Sequence, residues 1–287
     1  MVINEMIPHK EIRDKAVEWR VPPDTVDKDY VLGHFLAGFL DYYSDDLVFK
    51  GGTCLRKCWF PGYRFSEDLD FTSFSQDFKL TESDLKTVCK TVEAHSGIKF
   101  SPDKVSPLLH EDVPKGFQVR IRYWGANHSK NQRPPPVDRW QTRIKLEIST
   151  DEICLLAPVT KIIFHPYSDG LLNDTGVFSY QLDEIIAEKL RSLIQRSYTA
   201  PRDFFDIYNL TADYKKWDWH RIKPLFLKKI KHKNIQYTYT SDLFRQNSIE
   251  QVKKQWDSSL VHQVNEEAEH DSQTIIQEVI HRIYKHL

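Results

Sequence analysis

The sequence predicts an α+β fold, with strands and helices mixed in its first part and a mainly helical part after it. Three observations predict this. Val31, Leu32, Phe35, Leu36, Phe39 and Leu40 recur at intervals of three and four, the spacing of one face of an α-helix. Residues 117–124 and 142–150 instead alternate apolar and polar, the period of a half-buried strand. After the region of Pro166, Asp169 and Gly170 the chain changes character, and YQLDEIIAEKLRSLIQR (180–196) has a clear apolar arc at helical spacing.

In chain order, residues 8–18 have polar-rich helical character, and Val21-Pro22-Pro23-Asp24 breaks the chain. Asp24 or Thr25 is placed to cap the amphipathic helix expected over residues 26–43. That helix leads into the apolar run Leu47-Val48-Phe49, a Gly51-Gly52-Thr53 turn, a basic and aromatic spacer, and Asp68-Leu69-Asp70 at the start of a second apolar run. A helix over 83–95 follows, then the strand 117–124 and a loop over 127–136 rich in Asn, Lys and Pro. The next strand turns Ile144, Leu146 and Ile148 to the core, leaving Arg143, Lys145, Glu147 and Ser149 on the other face.

Composition excludes several classes. The 287 residues suffice for one large domain or two medium ones, with 40% hydrophobic and 13% aromatic residues for a core. A net charge of −1 gives no global basicity, so any RNA site must come from local clustering. The start MVINEMIPHKEIRDKAVEW lacks a signal-peptide pattern, and no apolar run approaches the roughly 18 residues of a membrane span. A cytoplasmic protein without membrane contact is expected. The four cysteines have no paired C-x-x-C spacing, which argues against a zinc or disulfide framework.

The chemistry concentrates in residues 47–71. Gly51 and Gly52 let backbone N–H groups approach an anion, Thr53 adds a hydroxyl, and Lys50, Arg56, Lys57 and Arg64 add positive charge. On a strand, Asp68 and Asp70 share one face while Leu69 and Phe71 share the other. Their carboxylates then lie roughly 6–7 Å apart and repel by about 2.5 kcal/mol at an effective dielectric of about 20. A divalent cation relieves that repulsion, and carboxylates with phosphate oxygens and water are what Mg²⁺ accepts.

The order G-G-[ST], spacer, D-x-D resembles the signature of the polymerase-β-like nucleotidyltransferases. The longer strings FKGGTCLRK and RFSEDLDF resemble the AbiEii or MenT branch, the nucleotidyltransferase toxins of bacterial type IV toxin–antitoxin systems. The resemblance covers about residues 5–240. It implies a nucleotidyltransferase domain over 1–170, a mixed sheet flanked by helices, and a helical domain over 171–287 that completes the active site. It also implies Mg²⁺ held by Asp68 and Asp70, and a nucleoside triphosphate bound by Lys50, Gly51, Gly52, Thr53, Arg64 and Lys189. The acceptor it implies is RNA, the 3′ end of a tRNA by analogy with MenT toxins, with a co-encoded antitoxin as partner.

Several positions admit two readings. Glu147 matches the family's third carboxylate, or is a strand glutamate paired with Lys145. Lys189 falls inside the apolar arc of its helix, so it either snorkels or reaches a fixed anion. The A-E-K-L around Lys189 resembles a family pattern, and the resemblance favours the anion. Glu184, Glu188, Arg191 and Gln195 fall in the sector expected to be exposed. The segment Arg202-Asp203-Phe204-Phe205-Asp206 is similar to the family's R-D-x-x-D, which makes Asp203 and Asp206 catalytic candidates, although both are also placed to answer a helix dipole. Val26-Asp27-Lys28-Asp29 resembles the family's pre-motif helix or is a solvated helix start. A basic run from Lys215, containing Lys228, Lys229 and Lys231 among tryptophans, suits RNA or a solvated face. The tail from about 249 is helical and acidic at Glu266, Glu267, Glu269 and Asp271.

Two rival functions share part of this pattern. A small-molecule nucleotidyltransferase of the aminoglycoside-modifying type needs no basic run. A nucleotide-binding regulator binds nucleotide without turnover.

Overall fold

The computed structural model describes residues 5–110, 112–129, 132–172, 176–195, 201–213, 216–264 and 271–287. Lys215, Glu266, Glu267 and Glu269 lie outside the described residues. Contacts divide the chain into two units, Met1–Cys154 with Pro158–Ser179, and Leu155–Ala157 with Tyr180–Leu287.

The first unit is a mixed sheet with helices. Its strands are β1 (Leu47–Lys50), β2 (Asp68–Ser73), β3 (Lys99–Pro102), β4 (Ser106–His110), β5 (Val113–Trp124), β6 (Arg143–Ser149), β7 (Val159–Lys161) and β8 (Val177–Ser179). They run in the order β3-β5-β6-β2-β1-β8-β7, with β4 paired to β5. β2 is antiparallel to β1 and parallel to β6, and β1 is parallel to β8. Residues 177–179 therefore belong to the first unit through the β8 pairing. β3 and β4 escape sequence reading because each is a short edge segment with no clean alternation.

One face of the sheet is apolar and covered. Leu69, Phe71, Ile144, Leu146 and Ile148 are buried there, and the ring of Phe71 lies 5.4 Å from Phe39 and 5.1 Å from Phe49. Phe39 belongs to α2 (Pro23–Tyr42), which begins with Pro23 in its first turn; neither Asp24 nor Thr25 caps it.

α2 corrects the amphipathic expectation. From Val26 to Leu40 every residue except Lys28 is buried, including Asp27, Asp29 and His34. The side away from the sheet is covered by α1 (His9–Trp19) and α4 (Glu82–Ser96) instead of water. The acids near the start of α2 are thus not a solvated helix start. The carboxylate of Asp29 accepts from Arg56 Nε and Lys57 Nζ, each at 2.8 Å, and from the Tyr167 hydroxyl at 2.9 Å. Burial pushes Asp29 up, but Arg56 and Lys57 outweigh it and hold the acid below its ordinary range.

Asp27 lies in the opposite situation. It accepts the N–H groups of Ala126 and Asn127 at 2.7 and 3.0 Å with no cation beside it among the described residues, and burial pushes it up to about 7. An acid whose pKa rises on folding binds more protons folded than unfolded, so its contribution is complete below about 4 and is lost as pH rises towards 7. Asp27→Asn keeps an acceptor for the two N–H groups and removes the titration. The melting temperature of this variant is expected to fall less than the parent's between about pH 5 and 8; parallel curves from thermal melts would refute this.

The second unit is helical: α5 (Leu182–Gln195), α6 (Pro201–Leu210), α7 (Trp219–His232), α8 (Gln246–Leu260) and α9 (Ser272–Tyr284). α5 packs on α6 and α7, and α6 on α8 and α9. This burial overturns part of the expected exposed sector of α5. Glu184 and Arg191 are buried, because α7 lies over that side of the helix. Glu184 accepts the N–H groups of Leu155 and Leu156 and pairs with Lys229 Nζ at 2.9 Å.

Candidate active site

At the end of β1 the chain turns through Gly51 at φ +79°, a conformation that other residues rarely adopt. A Cβ there would also run into the carboxylate of Asp70, so the turn and the acid can be this close only with glycine. Residues Gly51–Cys54 then form a short α-helix, α3, that continues as a π-helical turn over Leu55–Trp59. The Thr53 hydroxyl donates to the Asp68 carbonyl at 2.5 Å, tying this turn to the start of β2. The Arg64 guanidinium lies over Gly52, 2.8 Å from where a Cβ would stand.

The strand register brings the acids together. Lys50 lies opposite Asp70 across the β1–β2 pair, and across β2–β6 Asp70 lies opposite Glu147 and Asp68 opposite Lys145. Asp68, Asp70 and Glu147 therefore project from the face opposite the buried Leu69 and Leu146. Glu147 stands beside Asp70 in the register and also pairs with Lys145 Nζ at 2.5 Å. Burial works against the charged form of Lys145, but the bond to Glu147 and the charges of Glu147, Asp68 and Asp70 raise its pKa above the ordinary value. This half-buried face carries a negative field that a cation answers.

That field, with two carboxylates on one face, fits a divalent ion. Among the described residues the three-residue group whose ligand atoms all lie within 4.8 Å of one another is a different one, His34, His165 and Asp169. An ion at Asp68 and Asp70 would thus draw further ligands from outside this carboxylate pair.

The basic surroundings expected from the sequence are only partly realised. Lys57 and Arg56 are buried and spent on Asp29, and the Lys50 ammonium lies 4.0 Å from the buried Glu152 carboxylate. The signal for the Asp29 cluster was present in the sequence as charges set among Tyr30, Val31 and Leu32 and beside Leu55, but partners 27 and 28 positions apart cannot be matched from spacing alone.

In the second unit, Lys189 reaches fixed anions rather than snorkelling. Its ammonium lies 2.9 Å from Asp203 and 2.6 Å from Asp206, whose side chains are 1% and 0% exposed. Both acids orient it. Of the three lysines assigned to RNA, Lys228 and Lys231 are exposed, but Lys229 is not available. It is fully buried against Glu184, with its ammonium 4.9 Å from the centre of the Tyr180 ring. Three consecutive turns of α7 place Ile222, Phe226 and Lys229 on the packed side, which a reading by charge density overlooks.

The family model described as "Nucleotidyl transferase AbiEii toxin, Type IV TA system" matches residues 34–278. The chain belongs to this family. It is a nucleotidyltransferase toxin of a type IV toxin–antitoxin system, which brings with it a nucleotide substrate and a cognate antitoxin. Among solved structures, MenT4, a nucleotidyltransferase toxin from Mycobacterium tuberculosis H37Rv, is 18% identical with a TM-score of 0.64, over 96% of this chain and 89% of that one. A putative nucleotidyltransferase from H. pylori is 16% identical with a TM-score of 0.50, over 89% of this chain and 95% of that one. These likenesses establish the nucleotidyltransferase-like fold. Comparison with curated proteins found no match. Among the described residues no helix of this AbiEii-family chain is long and apolar enough to cross a membrane.

Proposed function

We propose that this AbiEii-family enzyme transfers a nucleoside monophosphate from a nucleoside triphosphate to the 3′ end of a tRNA in the cytoplasm, and stops growth by blocking aminoacylation. The observation that carries the reading is the register of Asp68, Asp70 and Glu147 on one sheet face, beside the Gly51 turn. Asp68 and Asp70 would hold Mg²⁺, which when bound neutralises phosphate charge as a Lewis acid. Gly51, Gly52 and Thr53 bind the triphosphate through backbone donors, the Thr53 hydroxyl being committed to the Asp68 carbonyl, with Lys50, Arg64 and Lys189 as its counter-charges.

Glu147 takes the proton from the attacking hydroxyl. The hydroxyl oxygen bonds to the α-phosphorus, the bond to the bridging oxygen breaks, and pyrophosphate leaves. In the helical unit Asp203 and Asp206 act as positioning residues that fix the Lys189 ammonium. Lys228 and Lys231, exposed on α7, bind the acceptor's phosphates.

Incubating the protein with Mg²⁺, each labelled triphosphate and total tRNA is expected to label tRNA in a 3′-terminal position. Nucleotide binding without labelled RNA would defeat the transfer reading and favour a regulator. Reversing charge at Lys228 and Lys231 together is expected to weaken RNA binding and flatten its salt dependence by about 1 to 2 in log–log slope. Unchanged RNA binding in that variant would remove α7 from the interface, and labelling of small aminoglycosides in place of RNA would favour the small-molecule enzyme.

A further inference from the structure

We propose that His34, His165 and Asp169 form a binding site for a divalent transition-metal ion of the zinc class, built from residues that the transfer reaction does not use. His34 comes from α2, and His165 and Asp169 from the segment between β7 and β8. His34 Nε2 lies 3.0 Å from one Asp169 oxygen and His165 Nε2 3.1 Å from the other, and one ligand atom from each residue falls within 4.8 Å of the rest. Zinc bond lengths place neighbouring ligand atoms of a tetrahedron about 3.3 Å apart, so little movement separates this arrangement from a coordination shell.

The site is built rather than incidental. His34 and His165 side chains are 1% and 5% exposed and Asp169 is 12% exposed. A Cβ on Gly33 would stand 2.6 Å from His165 Nδ1, so the ring reaches α2 because residue 33 has no side chain. The Tyr30 hydroxyl donates to Asp169 at 2.8 Å, the kind of outer contact that orients a ligating carboxylate. His95 Nε2, 3.0 Å from the Gly170 carbonyl, holds the residue that follows.

The two Nε2 atoms and the Asp169 carboxylate already face one another. Each ring uses Nε2 towards Asp169, and among the described residues Nδ1 of both His34 and His165 is buried with no hydrogen-bond partner. An ion held through the two Nε2 atoms and the Asp169 carboxylate would leave both Nδ1 atoms facing the protein, so the ligand set is the Nε2 and carboxylate atoms. A positive group is close, since Lys57 Nζ lies 3.6 Å from the same Gly33 Cβ position, but it is paired at 2.8 Å with Asp29. Two imidazoles and one carboxylate select a borderline ion such as Zn²⁺ or Co²⁺ over Mg²⁺, which takes oxygen ligands. Bound there, the ion would tie the 165–169 segment to α2.

The full, untagged chain, stripped with EDTA, would be offered one equivalent of Zn²⁺, Co²⁺ or Mg²⁺ and passed through gel filtration. Retention of about one Zn²⁺ or Co²⁺ per chain is expected, with a higher melting temperature. The Co²⁺ form should show visible ligand-field absorption and no thiolate charge-transfer band, which separates imidazole ligands from the four cysteines. Asp169→Asn is expected to weaken retention about tenfold or more. No retained ion in the parent chain, a thiolate band, or equal retention in a folded Asp169→Asn variant would each overturn the site. Because the parent chain alone gives the first two readouts, failure of a variant to fold leaves the test decisive.

Discussion

Replacing Asp70 by alanine is expected to lower nucleotide transfer by about a thousandfold or more, since the several kcal/mol that a bound ion contributes correspond to that factor at 1.36 kcal/mol per decade. Stability should change little. Asp70 is half-buried on the sheet face opposite the core, where its charge repels that of Asp68 and attracts that of Lys145, so the substitution removes charge interactions of both signs. Leu69 and Phe71, which carry the packing of β2, are unchanged. Activity under saturating Mg²⁺ and triphosphate, measured with thermal melts on the same preparation, checks both halves. Transfer within tenfold of the parent, in a variant that melts normally, would refute the assignment of Asp70 to the metal.

The second large effect is on stability. Asp29→Ala leaves the Arg56 guanidinium and the Lys57 ammonium buried without their counter-charge, and breaking such a buried pair costs about 3–5 kcal/mol. The partner side chains are 4% and 0% exposed, so water does not take over from the carboxylate. The same cluster dictates an acid limit. Because the folded-state pKa of Asp29 is depressed, its contribution is complete above about 4 and is lost as pH falls towards the folded value. Replacing Asp29, Arg56 and Lys57 together by apolar residues of similar size is expected to recover most of the loss, because it is the unpaired charge that is costly. Denaturant titration gives the comparison; a single Asp29→Ala variant within about 1 kcal/mol of the parent would show that the cluster is solvated.

The depth of that cluster explains why it was not legible beforehand. Local periodicity identified α2, β5, β6 and α5, since a strand or helix facing one side of a core repeats at 2 or 3.6 residues. It went wrong where an element is covered on more than one side. α2 was expected to keep a wet face and instead buries Asp27, Asp29 and His34; α5 was expected to expose Glu184 and α7 to offer Lys229, and these two pair with each other in the interior. A charge in a sequence reports a need for water or a partner, and only the packing says which.

The sequence by itself determined the family and the elements of the turn: Gly51, Gly52 and Thr53 before Asp68 and Asp70 at strand spacing, because backbone freedom and side-chain alternation are local properties. It also placed Lys189 inside an apolar arc, where an ammonium must snorkel or reach an anion. Tertiary structure alone decided which residues meet. The parallel register of β2 on β6 set Glu147 beside Asp70, and the packing of α6 on α5 brought Asp203 and Asp206 to Lys189. The burial of α2 matched Asp29 to Arg56 and Lys57 and gathered His34, His165 and Asp169 at Gly33. Apart from His165 and Asp169, four positions apart, such pairings join positions 14 to 135 residues apart, and no spacing rule reaches across that much chain.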